Sequence, residues 1–317
     1  MSLMADAFQP IIVNGITEIG GHLDAMSISD VLLAPKAAYD LDFDDSSREI
    51  LLDFREPSLV LKATASDCCR LSSSAFQTVA SLSEDSFEKS ALPWALIKLY
   101  YSAFYAGHTL IRLLGAGCSF LDARHTARID TFAKAIGKNA GFKIDAGLYR
   151  CVINPSVTKI ACVKMTGSTH ESFWRLFGDQ MNAAMEGILR GPLTAADSQR
   201  VFNQLESLSQ IAARYGSYNW LSTVRNGIQY RDTYKVWYPC KVRRSDIGRL
   251  SRAASQWKRD PMTIDLVASN LGIVGDFVVA CAFIVAMCRV ILVRLSELSF
   301  SKRSFLHYGP LAFIEPS

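Results

Sequence analysis

Apolar residues follow two rhythms along this chain, and the change falls near Ser90. Between residues 8 and 63 they come in short runs, Ile11-Ile12-Val13, Val31-Leu32-Leu33, Ile50-Leu51-Leu52 and Leu59-Val60-Leu61. Gly, Pro and the acidic stretch Asp40 to Asp45 separate them. Short runs bounded by turn residues predict strands, or a small α+β segment. Beyond Ser90 the spacing is helical. Pro93 to Leu114 is apolar almost all round, which predicts a central core helix. Its exceptions, Lys98, Ser102, Tyr105, Thr109 and Arg112, recur at i, i+4, i+7, i+11 and i+14 and so form one stripe. His108 flanks that stripe.

Further helices are predicted at about 121–137, 169–190 and 194–214. Ser168-Thr169-His170-Glu171 and Thr194-Ala195-Ala196-Asp197 read as capping boxes, or close to them, that open the last two. Segment 146–166 fits either a brief strand pair or an extended loop around Pro155. Another helix spans about 217–231 and is stopped by Tyr234-Lys235-Val236-Trp237-Tyr238-Pro239, where the proline biases its predecessor away from helix. A short helix at 245–257 and a long one at 263–298 complete the chain. The predicted fold class is mainly α, an antiparallel helical bundle over residues 91–317 with an acidic α+β segment, 1–90, before it.

The last helix raises the question of a membrane. Its uninterrupted apolar run, Phe277–Cys288, is 12 residues long and is bounded by Asp276 and Arg289. A span needs about 20 apolar residues, and widening the window places both charges inside it, at roughly 2.5–3.5 kcal/mol each. One helix cannot pair them, because they stand about 20 Å apart along its axis. A buried core helix is predicted.

Composition narrows the class. Half of the 317 residues are hydrophobic and 20% are charged, which excludes a disordered or collagen-like chain. The eight cysteines form no CxxC pair and have no histidine at zinc-finger spacing, so neither a metal nor a cofactor is predicted. Scattered thiols, together with an N-terminus lacking a basic then apolar leader, predict a cytoplasmic protein.

Charge is distributed unevenly. Residues 1–90 carry 6 Lys/Arg against 15 Asp/Glu, whereas 91–317 carry 28 against 15. The stretch Arg225–Arg259 holds 10 basic residues and only Asp232 and Asp246. Such a surface suits a polyanion, of which nucleic acid is the commonest, or else an intramolecular match to the acidic segment.

The glycines build no phosphate-binding loop, and no GxSxG, HExxH or DxDxDG motif is present. Asp122 and His125 stand one turn apart, as a surface pair would. More promising is Trp220 to Arg231, where Arg225 and Asn226 sit side by side. A guanidinium and an amide can share one phosphate. Tyr230 lies on the Asn226 face, and Gly227 in mid-helix hints at a close approach by another group. The alternative is a helix end at which Arg225 pairs with an acid and Tyr230 packs.

The helix Leu99-Tyr100-Tyr101-Ser102-Ala103-Phe104-Tyr105-Ala106-Gly107-His108, followed by Arg225-Asn226-x-x-x-Tyr230, resembles the HEPN superfamily. The resemblance covers about 91–300, with an insertion at about 138–215. It implies an all-α bundle that forms a metal-independent ribonuclease at a homodimer interface, of the toxin–antitoxin or antiphage-defence kind. It also implies RNA as substrate and a cognate antitoxin or defence-complex subunit as partner. There the ribose 2′-hydroxyl attacks the adjacent phosphate; Arg225 would stabilise the phosphorane and Asn226 would orient it. Position 230 is Tyr where the family pattern has His, and the position two residues on is Asp232. Tyr230 then serves as acid or donor, and His108 is the candidate for the missing imidazole. Lys98, Arg112, Arg231, Lys241, Arg243 and Arg244 are the expected RNA contacts, and the acidic segment is expected to cover the cleft or to dock a partner. Two rival expectations remain: a non-catalytic HEPN-like scaffold within a defence complex, and a membrane-acting toxin using 271–295.

Overall fold

The computed structural model describes residues 2–35, 38–266, 271–299 and 304–314. Helices α1 (Leu3–Phe8) and α2 (Ile28–Val31) lead into the hairpin of β1 (Tyr39–Asp44) and β2 (Glu49–Phe54). The long helices α3 (Pro57–Ala80) and α4 (Leu92–Leu113) follow, then β3 (Ala116–Leu121), α5 (Ala123–Ala135) and the hairpin of β4 (Gly147–Ile153) and β5 (Lys159–Lys164). Five helices close the chain: α6 (Thr169–Leu189), α7 (Ala195–Arg214), α8 (Trp220–Gln229), α9 (Arg244–Ala254) and α10 (Gly272–Leu298). The fold is mainly α, as the helical spacing predicts, and the caps predicted at Ser168 and Thr194 accept the backbone N–H groups of Glu171 and Asp197.

The strands correct the expectation of a helical bundle, and segment 146–166 takes the strand-pair form of its two alternatives, as β4 and β5. A five-stranded antiparallel sheet runs in the order β1-β2-β5-β4-β3. Strand β2 pairs with β5, Leu52 opposite Ile160, so the boundary expected at residue 90 runs through the middle of one sheet. The inward rows Tyr39, Leu41, Ile50, Leu52, Ile160 and Cys162 pack on Ile129 and Phe132 of α5 and on Val60 of α3. The acidic positions of β1 are its outward row, with Asp40 and Asp42 exposed between buried Tyr39 and Leu41. Gly115, at φ +80°, makes the tight turn that carries α4 directly into β3.

Only one of the four early apolar runs, Ile50-Leu51-Leu52, is a strand. Leu59-Val60-Leu61 opens α3, which starts on Pro57 at its first position. That helix is hard to read because serine and threonine fill it. Their hydroxyls are satisfied within the helix: Thr64 donates to the Val60 carbonyl, Ser72 to Cys68, Ser73 to Cys69 and Thr78 to Ser74. The polar stripe of α4 faces this helix. Ser102 Oγ donates to the Ala75 carbonyl at 2.8 Å. Arg112 Nε donates to Asp67 Oδ2 at 3.0 Å and its Nη2 to the Cys118 carbonyl of β3 at 3.0 Å. Lys98 reaches Ser81 at the end of α3. The stripe is therefore the seam between two helices and not a groove wall.

Helix α10 starts at Gly272, later than the predicted 263, and residues 267–270 of that prediction lie outside those described. By length and composition it is apolar enough to cross a membrane, yet nearly all of it is buried against α1, α4 and α9. The two charges bounding its apolar run find partners elsewhere in the protein. Asp276 accepts from Arg214 Nη1 at 3.0 Å and from the Tyr215 hydroxyl at 2.7 Å, and Arg289 donates to the carbonyls of Trp257 and Arg259. A membrane-acting role for 271–295 would have to expose a helix that forms the core.

Breaking the seam has a definite cost. Arg112→Ala leaves the 1%-exposed Asp67 carboxylate with the solvent-facing Arg70 and a 3.5 Å hydrogen bond from the Ile28 N–H, and a broken buried pair costs about 3–5 kcal/mol. Arg70→Ala removes an exposed partner and costs under about 1 kcal/mol. Urea unfolding of the two variants checks the contrast.

Candidate functional site

Helix α8 lies along α4, and this contact assembles the site. Arg225 is 5% exposed, and its guanidinium carbon stands 5.2 Å from the Tyr100 ring centre and 5.6 Å from that of Tyr101. Its Nη1 donates to Gln229 Oε1, one turn on, at 3.1 Å. Its Nε is buried without a partner, and among the described residues no carboxylate lies within ion-pair distance of it. The alternative in which Arg225 pairs with an acid is thus not what the fold builds. The guanidinium is held by two π faces and one neutral amide.

Tyr100 joins three helices at this point. Its hydroxyl lies 2.8 Å from His170 Nδ1 and accepts from Trp174 Nε1 at 3.1 Å, with Ser222 and Arg225 as further polar neighbours. Burial, the largest influence, pushes the phenol up to about 12, against the opposing help of Trp174 and Arg225. His170 is half-buried on the first turn of α6 and packs on Phe104 at 4.5 Å between ring centres. Burial first, and the Arg225 charge second, bring its imidazole down to about 4. At neutral pH it is uncharged and able to accept a proton.

The imidazole beside Arg225 is therefore His170 and not His108. His108 lies eight residues further along α4, about 12 Å at 1.5 Å per residue. It is buried, stacked on Phe173 at 3.8 Å between ring centres, with Nδ1 3.1 Å from Arg112 Nη1. Burial and the Arg112 charge hold it well below its ordinary value. Arg112 itself is 6% exposed and committed to Asp67, so it is not an RNA contact in this conformation. Asn226 is half-buried on the adjoining face of α8. Tyr230 departs furthest from its expected place. It caps α8, its ring is 70% exposed, and five residues of helix rotate it about 140° from Arg225.

The close approach inferred at Gly227 is real and internal. A Cβ there would meet Tyr234 Cε2 at 2.7 Å. Tyr234 belongs to a loop folded back on α8, with the Thr233 N–H donating to the Gly227 carbonyl and Trp237 Nε1 to that of Ile228 at 2.6 Å. Trp237 meets Trp94 edge-on at 5.6 Å. Arg231, Lys241, Arg243 and Arg244 are all exposed, and none of them forms an ion pair among the described residues. The Asp122–His125 pair is structural. Asp122 caps α5 and accepts from two backbone N–H groups, while His125 is buried rather than on the surface.

His170 escaped notice because Ser168-Thr169-His170-Glu171 already had an explanation as a helix start, and that explanation holds. Its proximity to Arg225 is created by the packing of α6 and α8 on α4, which no local spacing records. No protein-family model, curated protein or solved structure matches the chain.

The depressed histidine has a consequence for stability. A group harder to protonate folded than unfolded takes up its proton more readily in the unfolded chain, so stability is complete above the unfolded value near 6.5 and falls as pH drops toward about 4. His170→Gln is expected to show a shallower fall of melting temperature across that window than the unsubstituted protein. Melting curves taken between those two pH values measure the difference.

Proposed function

We propose that this chain is a HEPN-like RNA-binding protein of the cytoplasm that acts, as a homodimer, as a metal-independent endoribonuclease in a toxin–antitoxin or antiphage-defence system. The observation carrying this reading is Arg225, a buried guanidinium with no acid beside it, at the position where the resemblance places the phosphate. A phosphodiester is the anion such a site suits, and the charge it would stabilise grows as the phosphorane forms. The 2′-oxygen attacks phosphorus as its proton leaves, the bond to the 5′-oxygen breaks and that oxygen takes a proton from water, and the products are a 2′,3′-cyclic phosphate and a 5′-hydroxyl. His170 supports this as the neutral imidazole nearest Arg225. If its Nδ1–H donates to the Tyr100 hydroxyl, Nε2 is left to take the 2′ proton.

One observation favours the second reading, a non-catalytic HEPN-like scaffold within a defence complex. The Tyr230 phenol stands in solvent, away from Arg225, so the helix that carries Arg225 brings no acid to it.

The two readings part in one experiment. A 5′-labelled single-stranded RNA is incubated in EDTA with the protein, with Arg225→Ala and with His170→Gln. The nuclease reading expects cleavage that survives EDTA, is absent on a 2′-O-methyl strand, and drops roughly 100- to 1000-fold in Arg225→Ala. RNA binding that depends on Arg225 without any cleavage removes the nuclease and leaves an RNA-binding protein. A protein that neither binds nor cuts RNA ends the RNA-binding proposal and favours the scaffold.

A further inference from the structure

The loop between α8 and α9 carries an arrangement that the Arg225 site does not explain. Five large aromatic side chains lie on it or beside it, of which Tyr234 packs inward on Gly227. Tyr238 is 92% exposed, Tyr230 70% and Trp94 55%, and Trp237 is half-buried against Trp94. Exposed rings of this size are costly to leave in water, and the loop backbone that carries them is pinned. The Lys241 N–H donates to the Lys235 carbonyl at 3.0 Å, closing the base of the loop. Within it Val236 points into the core, the Trp237 N–H donates to Asp232 Oδ1, and the Trp237 indole donates to α8. Asp232 and Lys235 both take left-handed backbone angles, +44° and +52°, which non-glycine residues adopt at a cost of about 1–3 kcal/mol each. Tyr238 lies three residues beyond the second of them.

The charge around these rings has one sign. Arg231, Lys241, Arg243 and Arg244 are exposed, whereas the one acid of the loop, Asp232, is occupied by the Trp237 N–H and by Lys235 at 3.8 Å. Cations interleaved with open ring faces are the chemistry of an unpaired nucleic-acid strand, whose phosphates meet the charges and whose bases stack on the rings. A duplex offers the same phosphates but keeps its base faces stacked on each other. An acidic protein would match the charges and leave the ring faces without a role.

We propose that this aromatic and basic loop, residues 230–244 together with Trp94, is a stacking platform for single-stranded RNA that leads the strand toward the Arg225 site. It deepens the RNA-binding function proposed above and rests on it. The platform would explain substrate choice by strand state rather than by sequence, because every base has a face on which to stack.

The test uses the full chain and a fluorescein-labelled 2′-O-methyl oligouridylate of about twelve nucleotides, which cannot be cleaved. A blunt RNA duplex of equal length and a polyglutamate peptide are the comparison ligands, and binding is read by anisotropy. Tyr238→Ala and Trp94→Ala should each weaken single-strand binding roughly fivefold to a hundredfold while leaving duplex binding unchanged; Tyr238→Ala should also leave the melting temperature unchanged, whereas Trp94→Ala lowers it by losing the packing on Trp237. Tyr238→Phe should restore it. Arg243→Ala with Arg244→Ala should lower the salt slope on the single strand by roughly 1.4. Aromatic variants that bind the strand like the parent overturn the platform while leaving the Arg225 proposal standing. Equal losses on duplex and single strand overturn stacking in favour of charge alone. Tighter binding of polyglutamate than of the strand gives the surface to an acidic protein partner. Failure of the parent protein to bind any RNA removes the platform and the underlying function together.

Discussion

The buried ion pair between Asp67 and Arg112 holds the two parts of this protein together. Asp67 comes from α3 and Arg112 from the end of α4, and the same guanidinium reaches the Cys118 carbonyl on β3. One side chain thus ties the helical layer to the sheet at the turn where α4 becomes β3. Both charges are almost wholly removed from water, which is tolerable only because each is paired and hydrogen-bonded in addition. With that seam fixed, α4 is held along its length, and the elements meeting its other faces have a defined place to dock. Helices α6 and α8 meet there, and their meeting creates the cluster of Tyr100, His170 and Arg225.

The two buried arginines of this region make an instructive contrast. Arg112 and Arg225 are excluded from solvent to the same degree, but the fold answers the first with a carboxylate and the second with two tyrosine rings and a glutamine. A buried cation given its acid is finished structurally. One denied an acid, with a donor nitrogen left over, remains poised for an anion from outside. His170 belongs to the same economy of charge, since the Arg225 field that favours an anion also disfavours an imidazolium. The pair therefore sets one fixed guanidinium beside one uncharged imidazole.

What could be read from the sequence is what depends on near neighbours. The helices from α4 onward, the caps of α6 and α7 and the buried nature of α10 follow from spacing, because one face of each helix is decided within a few turns. Helix α3 was hidden because Ser, Thr and Cys blur the contrast between its faces, and its hydroxyls are satisfied only once the helix exists. The sheet was partly hidden because β2 finds β5 more than a hundred residues later. In the site, Arg225 was legible through its unusual company on α8. The assignments to His108 and Tyr230 failed for a geometric reason: helical periodicity states which residues share a face, but not which face another helix will cover. His170 and Trp94 gain their meaning only from that covering.

The charge asymmetry of the chain resolves in a way that composition could not foretell. The acidic N-terminal residues do not neutralise the basic stretch between 225 and 259. Asp42 pairs with Lys138, Asp53 with Lys159 and Glu49 with Arg150, all within the sheet or at its edge. Asp6 pairs with Arg294 on α10, and Asp67 with Arg70 and Arg112. These acids are matched to the sheet and the core, and among the described residues no ion pair joins an N-terminal acid to the basic stretch, although the turn Glu84–Phe87 packs against α9. Local pairing of the acids leaves the loop after α8 as a positive surface rimmed by open rings. Its field adds to that of Arg225 instead of being cancelled inside the molecule, and at ordinary ionic strength such a field still acts over about 8–10 Å. A polyanion approaching this side of the protein would meet attraction before contact, and the ring faces would then decide which polyanion stays.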